Sequence, residues 1–213
     1  MARVKRKAYQ NQEYWGKPVP GFGDPKARVL VVGLAPGAHG SNRTGRQFTG
    51  DASGDFLFPA LHKAGFANQP SAEARGDGLI LKDMYITASG RCAPPANKPS
   101  PEELNTCQPY LESEIEIVKP KVIVCLGRIA FERILKIYSI RDSSWRFVHG
   151  ALHKLKINSL MTVKSRKGDR WLLCSYHPSQ QNTLTGRLTV KMFDDIWKKA
   201  RSLIQDDQTH HSR

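Results

Sequence analysis

Between Gly33 and Asp51 the chain packs five glycines, one aromatic ring (Phe48) and one carboxylate (Asp51) into a loop that follows the apolar run Val29 to Val32. Only glycine lets a main chain close on a ligand without side-chain clash, so such a loop suits a flat or phosphorylated molecule. No Gly-Lys-Ser or Gly-Lys-Thr follows the glycines and no G-x-G-x-x-G spacing occurs. The loop is therefore neither the phosphate loop of nucleotide hydrolases nor a dinucleotide fingerprint. Phe48 also reads as a core ring, and Asp51 as the N-cap of a helix starting near Ser53 or Gly54. A second stretch, Ser175 to Thr189, places His177 at the end of an apolar run and follows it with a polar loop that carries Arg187 just before the last helical pattern. A histidine at a strand end is as readily a hydrogen-bonded structural residue as a functional one. Cys92 and Cys107 bound a proline-rich polar loop and could be half of a metal site, whereas Cys125 and Cys174 sit inside apolar runs and read as core.

The elements that must position these residues follow from hydrophobic patterning. Strand-like runs recur at Val29 to Leu34, Ile80 to Thr87, Val122 to Leu126 and Leu172 to Tyr176, with helical patterns between them. That alternation predicts a parallel-type sheet with helices on its faces. The helices are expected at Asp55 to Ala64, Pro101 to Val118, Arg128 to Ile137 and Val190 to Ile204. Ser100 and Glu103 form a capping-box pattern at the second, and Thr189 is placed to cap the last. The glycine-rich loop then follows the first strand, the Cys92 to Asn97 loop the second, Gly127 the third and His177 the fourth. In an open α/β sheet these all lie at the carboxyl edge, where ligands bind.

A chain of 213 residues with 39% hydrophobic content carries one well-buried core and does not require two. One domain is expected over 1–213, with a basic N-terminal segment at 1–13 and a polar, fraying tail at 206–213. No signal-peptide pattern and no window of membrane-span length occur, so a cytoplasmic, nucleoid-associated protein without a membrane partner is expected. A net charge of +14 points to a polyanion such as nucleic acid, against the plainer reading of a solvated basic surface.

Taken together, the motifs resemble the uracil-DNA glycosylases, in the branch numbered family five (type b). The resemblance runs from Tyr14-Trp15-Gly16-Lys17-Pro18-Val19-Pro20-Gly21-Phe22-Gly23-Asp24-Pro25 through the Gly33 loop and Arg91-Cys92-Ala93-Pro94-Pro95 to the His177 motif. It implies a three-layer α/β/α fold with a central, mainly parallel sheet. It also implies hydrolysis of the N-glycosidic bond of uracil in DNA, as the first step of base-excision repair, with other deaminated bases such as hypoxanthine accepted. Breaking that bond develops positive charge on the sugar and negative charge on the departing base, so the site needs an anion-stabilising donor and a carboxylate or polarised water. A neutral His177 suits the donor role, and by resemblance Asp51 positions water and steadies the sugar cation. Asn97 matches the third polar catalytic position. Ala35 stands where the best-known uracil glycosylases carry Asp or Asn, which places the catalytic burden on Asp51. The target base must be flipped out of the duplex, and Phe48 is the natural platform for it. Gly33, Ala35, Pro36 and Gly37 are expected around the base, and Arg43, Arg46, Asn182 and Arg187 against DNA.

The resemblance further implies a 4Fe–4S cluster held by four cysteines, with Cys92 and Cys107 matching two of them; no nucleotide cofactor is implied. The other pair, an N-terminal Cys-x-x-Cys, is absent from this sequence. Either the start has been placed late and the full protein carries the pair, or the cluster is lost and Cys92 and Cys107 are thiols or a redox pair. The first is favoured, because both downstream ligands persist. No lysine sits in the motifs to form a Schiff base, so a monofunctional enzyme without strand cleavage is expected, acting as a monomer. The rival readings are a non-catalytic nucleic-acid-binding module and a small-molecule nucleotide hydrolase.

Overall fold

The computed structural model describes residues 5–155 and 170–210, with the side chains of 206–210 left aside. It contains a six-stranded sheet: β1 (Phe22–Gly23), β2 (Val29–Gly33), β3 (Met84–Ala88), β4 (Val122–Leu126), β5 (Leu152–Leu155) and β6 (Arg170–Ser175), in the order β1-β3-β2-β4-β6-β5. The four inner strands run parallel and the two edges antiparallel. The inner strands are apolar almost throughout because both faces are covered. Val29 and Val31 point into one core with Leu57, Phe58, Leu61, Phe193 and Trp197, from α2 (Ala52–Lys63) and α6 (Val190–His210). Their neighbours Leu30 and Val32 point into the other, with Leu111, Ile115, Phe131 and Ile134, from α3 (Pro101–Val118) and α4 (Arg128–Ile137). The result is the expected helix, sheet, helix sandwich. Two short helices, α1 (Ser41–Thr44) and α5 (Gln180–Leu184), lie in the loops after β2 and β6.

Local chemistry sets the boundaries. Ser100 Oγ accepts from the Glu103 N–H at 3.2 Å and Glu103 Oε2 accepts from the Ser100 N–H at 2.7 Å, so α3 begins on the expected capping box. Thr189 Oγ1 accepts from the Met192 N–H at 3.2 Å and caps α6, which runs to His210 and takes in residues expected to fray; 211–213 lie outside the described residues. Helix α2 starts at Ala52, earlier than its apolar pattern, because Asp51 caps it. The run expected as a strand from Ile80 joins the sheet only from Met84, Leu81 before it making an isolated antiparallel bridge to Ala67. Asp83 turns the backbone to φ +58° there, its carboxylate grips Arg28 at 2.5 Å, and Ile80 is left 65% exposed. Both edge strands went unread: β1 has two residues, and β5 reads Leu-His-Lys-Leu with polar interruptions.

Candidate active site

The loops after β2, β3 and β6 meet around a crevice of about 1190 Å³ at the carboxyl edge of the sheet. Its wall includes Phe48, Asp51, Asn97 and His177 together with Ala35, Pro36 and Gly37. Gly127 faces a smaller neighbouring cavity of about 380 Å³, with Arg128, Asn182 and Arg187, and His177 borders both. Gly33 ends β2 behind the wall, where a Cβ would press on the Phe48 ring, so it supports that ring rather than lining the crevice.

Asp51 has two jobs, one for each oxygen. Oδ1 accepts from the Ser53 and Gly54 N–H groups at 3.0 and 3.1 Å, which caps α2. Oδ2 has no hydrogen-bond partner among the described residues and lies against Gly40, where a Cβ would come within 1.9 Å of it. Any side chain at position 40 would displace the carboxylate. Burial pushes the Asp51 carboxyl above the ordinary range, against the lowering effect of the two amides and of Arg43. His177 follows β6, and its ring meets no hydrogen-bonding residue among those described. Desolvation lowers its pKa to about 4, so it is neutral at physiological pH and carries an N–H donor into the crevice. Asn182 Nδ2 donates to the His177 carbonyl at 2.9 Å, and one residue earlier the Tyr176 N–H donates to His149 Nδ1 at 3.1 Å. His149 carries no sequence signal for this role, because its spacing from Tyr176 is set by the β5–β6 hairpin.

Phe48 is both a core ring and part of the wall. It is 6% exposed, its centroid lies 5.8 Å from that of His177, and its backbone sits at φ +53°. A non-glycine residue in that region is strained by roughly 1 to 3 kcal/mol, and such strain concentrates at functional sites. Asn97 is exposed, at φ +56° after Ala96 at φ +49°. The N–H groups of Ala35 and Gly37 are donated to no described acceptor. Lys98 and His39 also line the crevice, as do Arg6, Tyr9 and Gln12 of the N-terminal segment.

The expected DNA contacts need correction. Arg46 is buried and forks onto Asp77 at 2.8 and 2.6 Å, a partner that holds the Asp77 carboxyl well below the usual range. Arg43 is bonded to three loop acceptors and Asn182 to His177. Of the four, Arg187 alone is exposed, lying over the Tyr176 ring at 4.8 Å.

Cys92 is exposed and Cys107 half-buried, with Cys107 Sγ accepting from the Arg91 N–H at 3.4 Å. Burial, then the nearby Cys107, raise the Cys92 thiol. Cys125 and Cys174 face each other across β4 and β6 inside the core. Among the described residues no group of three His, Cys, Asp or Glu could hold a metal. A 4Fe–4S cluster takes four thiolates, so these residues do not fit it unaided.

At the carboxyl edge of the parallel strands the crevice thus brings together a neutral imidazole, a carboxylate oxygen without a hydrogen-bond partner among the described residues, and an aromatic ring, a set of groups suited to hydrolysis in an α/β fold. The chain belongs to the uracil DNA glycosylase superfamily, whose family model matches residues 20–201. It is 50% identical over 200 residues to the type-5 uracil-DNA glycosylase of Thermus thermophilus, covering 93% of this chain and 86% of the relative. It is 44% identical over 192 residues to the type-5 enzyme of Pyrobaculum aerophilum, covering 90% and 79%. With the type-4 uracil-DNA glycosylase of Archaeoglobus fulgidus the identity is 32% over 167 residues, covering 76% and 70%.

Proposed function

We propose that this chain is a DNA glycosylase that hydrolyses the N-glycosidic bond of uracil and so initiates base-excision repair. The observation that carries the reading is the pairing of Asp51 Oδ2, which has no hydrogen-bond partner among the described residues, with a His177 ring kept neutral by burial, in one crevice. The His177 N–H stabilises the negative charge that develops on the departing base; one such preorganised donor is typically worth roughly 3 to 4 kcal/mol of barrier. Asp51 Oδ2 accepts a proton from the attacking water and faces the sugar as it becomes cationic. Phe48 supplies a stacking face, and the Asn97 amide can donate to one base edge atom and accept from another.

The proposal extends to other deaminated bases such as hypoxanthine, as the resemblance to the type-b branch implies. Leu184 lies in the 180–185 loop, which the sequence places, with Arg187, to follow the DNA backbone or probe the stack. It is 81% exposed at the end of α5, beyond His177, and is placed to act as an apolar wedge in the gap left by a flipped nucleotide. Arg187 and Arg128 flank the same side. No described helix is long and apolar enough to cross a membrane, and the net charge of +14 suits a monomer working on the nucleoid. A cluster would need two further thiolates beyond Cys92 and Cys107, and no step here passes through one. Incubation with a labelled oligonucleotide carrying one uracil, then hot alkali and a denaturing gel, tests the proposal: a cut at the uracil is expected, and binding without a cut removes it.

A further inference from the structure

Arg43 was expected to touch DNA, yet its guanidinium is turned into the protein at the back of the Asp51 loop. Nη2 donates to the Gly50 carbonyl at 3.0 Å, Nε to the His39 carbonyl at 2.8 Å and Nη1 to Gln12 Oε1 at 2.8 Å. The Tyr9 ring covers the guanidinium at 4.1 Å. Both carbonyls belong to segments that touch Asp51. Gly50 is the residue before it, and His39 precedes the Gly40 against which Oδ2 rests. Gly50 sits at φ +73°, where an L side chain is strained, and a Cβ there would crowd Nη2 at 2.4 Å, so glycine suits the turn beside the guanidinium. The N-terminal segment is tied to the same place by the main chain, with the Trp15 N–H on the Arg43 carbonyl at 3.0 Å and the Gly16 N–H on the Asn42 carbonyl at 3.1 Å.

We propose that Arg43 is a positioning residue for Asp51, held in place by Gln12 and Tyr9, so that the N-terminal segment from Tyr9 to Gly16 is a working part of the active site rather than a basic tail. The inference rests on the glycosylase reading of Asp51. A planar fork clamping two carbonyls fixes the two backbone segments that touch Asp51, which lysine cannot reproduce. Its charge also favours the ionised carboxylate. The other charged or titratable groups near Asp51 are Asp55 one turn along α2, which opposes that effect, and His39, His177, Glu73, Lys98, Arg6 and Tyr9 around the crevice.

The test is single-turnover uracil excision across pH by wild type, Arg43→Gln, Arg43→Lys and Gln12→Ala, with thermal melting of each. Arg43→Gln is expected to lower the maximal rate by about tenfold or more. Its half-saturating protein concentration stays within about threefold of wild type, and the acid limb of its profile moves to higher pH because a cation facing Asp51 is gone. Arg43→Lys keeps the acid limb and stays slow; Gln12→Ala is several-fold slower with the limb unmoved. If Arg43→Gln does not fold, Arg43→Lys decides, and a wild-type rate there overturns the proposal. It is also overturned if Arg43→Gln weakens binding, lowers the salt slope by about one and leaves the rate intact, the signature of a phosphate contact. A slow Arg43→Gln with an unmoved acid limb overturns it as well. An inert wild type removes the glycosylase reading instead, so the two failures are distinguishable.

Discussion

Replacing Asp51 by Asn and by Ala separates the two jobs of its carboxylate. Oδ1 caps α2 through two N–H contacts, and losing such a cap costs about 1 kcal/mol. In a domain of this size that lowers the melting temperature by roughly 2 to 4 °C. Asparagine keeps an oxygen for the cap, so Asp51→Ala should melt about that much below Asp51→Asn. The sign against wild type follows from the raised carboxyl. A group whose pKa is higher folded than unfolded is harder to ionise in the native state, so the ionised form weakens the fold at neutral pH. Asp51→Asn should therefore melt at or above wild type at pH 7.5 and lose this advantage as the pH falls through the raised pKa. Catalysis goes the other way: both variants lose the base at Oδ2, a loss of the order of 10² to 10⁴ in rate. Single-turnover excision and thermal melting, done side by side, read both effects. Excision by Asp51→Asn within about threefold of wild type would reduce Asp51 to a helix cap, and Asp51→Asn melting below Asp51→Ala would refute the capping geometry.

Four further outcomes are expected. His177 is held neutral to about pH 4, below its ordinary 6.5, so the native state loses stability as pH falls through that window; the difference in unfolding free energy between wild type and His177→Gln should change by about 3 kcal/mol from pH 7 to pH 4 in chemical denaturation. Leu184→Ala should slow excision from duplex DNA by about tenfold, with single-stranded excision and melting temperature unchanged, because the side chain touches solvent and not the core. Lys98 lines the crevice, yet no covalent adduct should be trapped by borohydride during turnover; an adduct lost in Lys98→Ala would make the enzyme a lyase. Treatment with a strong iron chelator should leave the rate within about twofold, since no step of the reaction proposed at Asp51 and His177 passes through a cluster; loss of activity restored by iron and sulfide would place a cluster in the working protein.

Much of this architecture could be read from one sequence because it is local or periodic. The inner strands announce themselves as unbroken apolar runs, the start of α3 as a capping box, and the crevice as the place where loops after parallel strands must meet. What escaped depends on contacts between distant segments. Arg43 and Arg46 look like phosphate ligands in a loop of glycines, and their partners Gln12 and Asp77 each lie 31 residues away. The strand expected from Ile80 is cut short by Asp83, whose strained backbone is explained only by Arg28, 55 residues off. The plain alternatives for Phe48 and Asp51, core ring and helix cap, proved to be true alongside their place in the crevice wall, because one side chain serves both. Lys98 and His149 carry no pattern of their own and become visible only once the loops are folded together.

The most direct test of the central claim is to look for the free base. Wild-type protein mixed with uracil-containing DNA should release uracil, detectable by mass spectrometry, and leave an abasic strand that stays intact until alkali is added. DNA that is bound at nanomolar protein while all of its uracil remains attached would contradict the account.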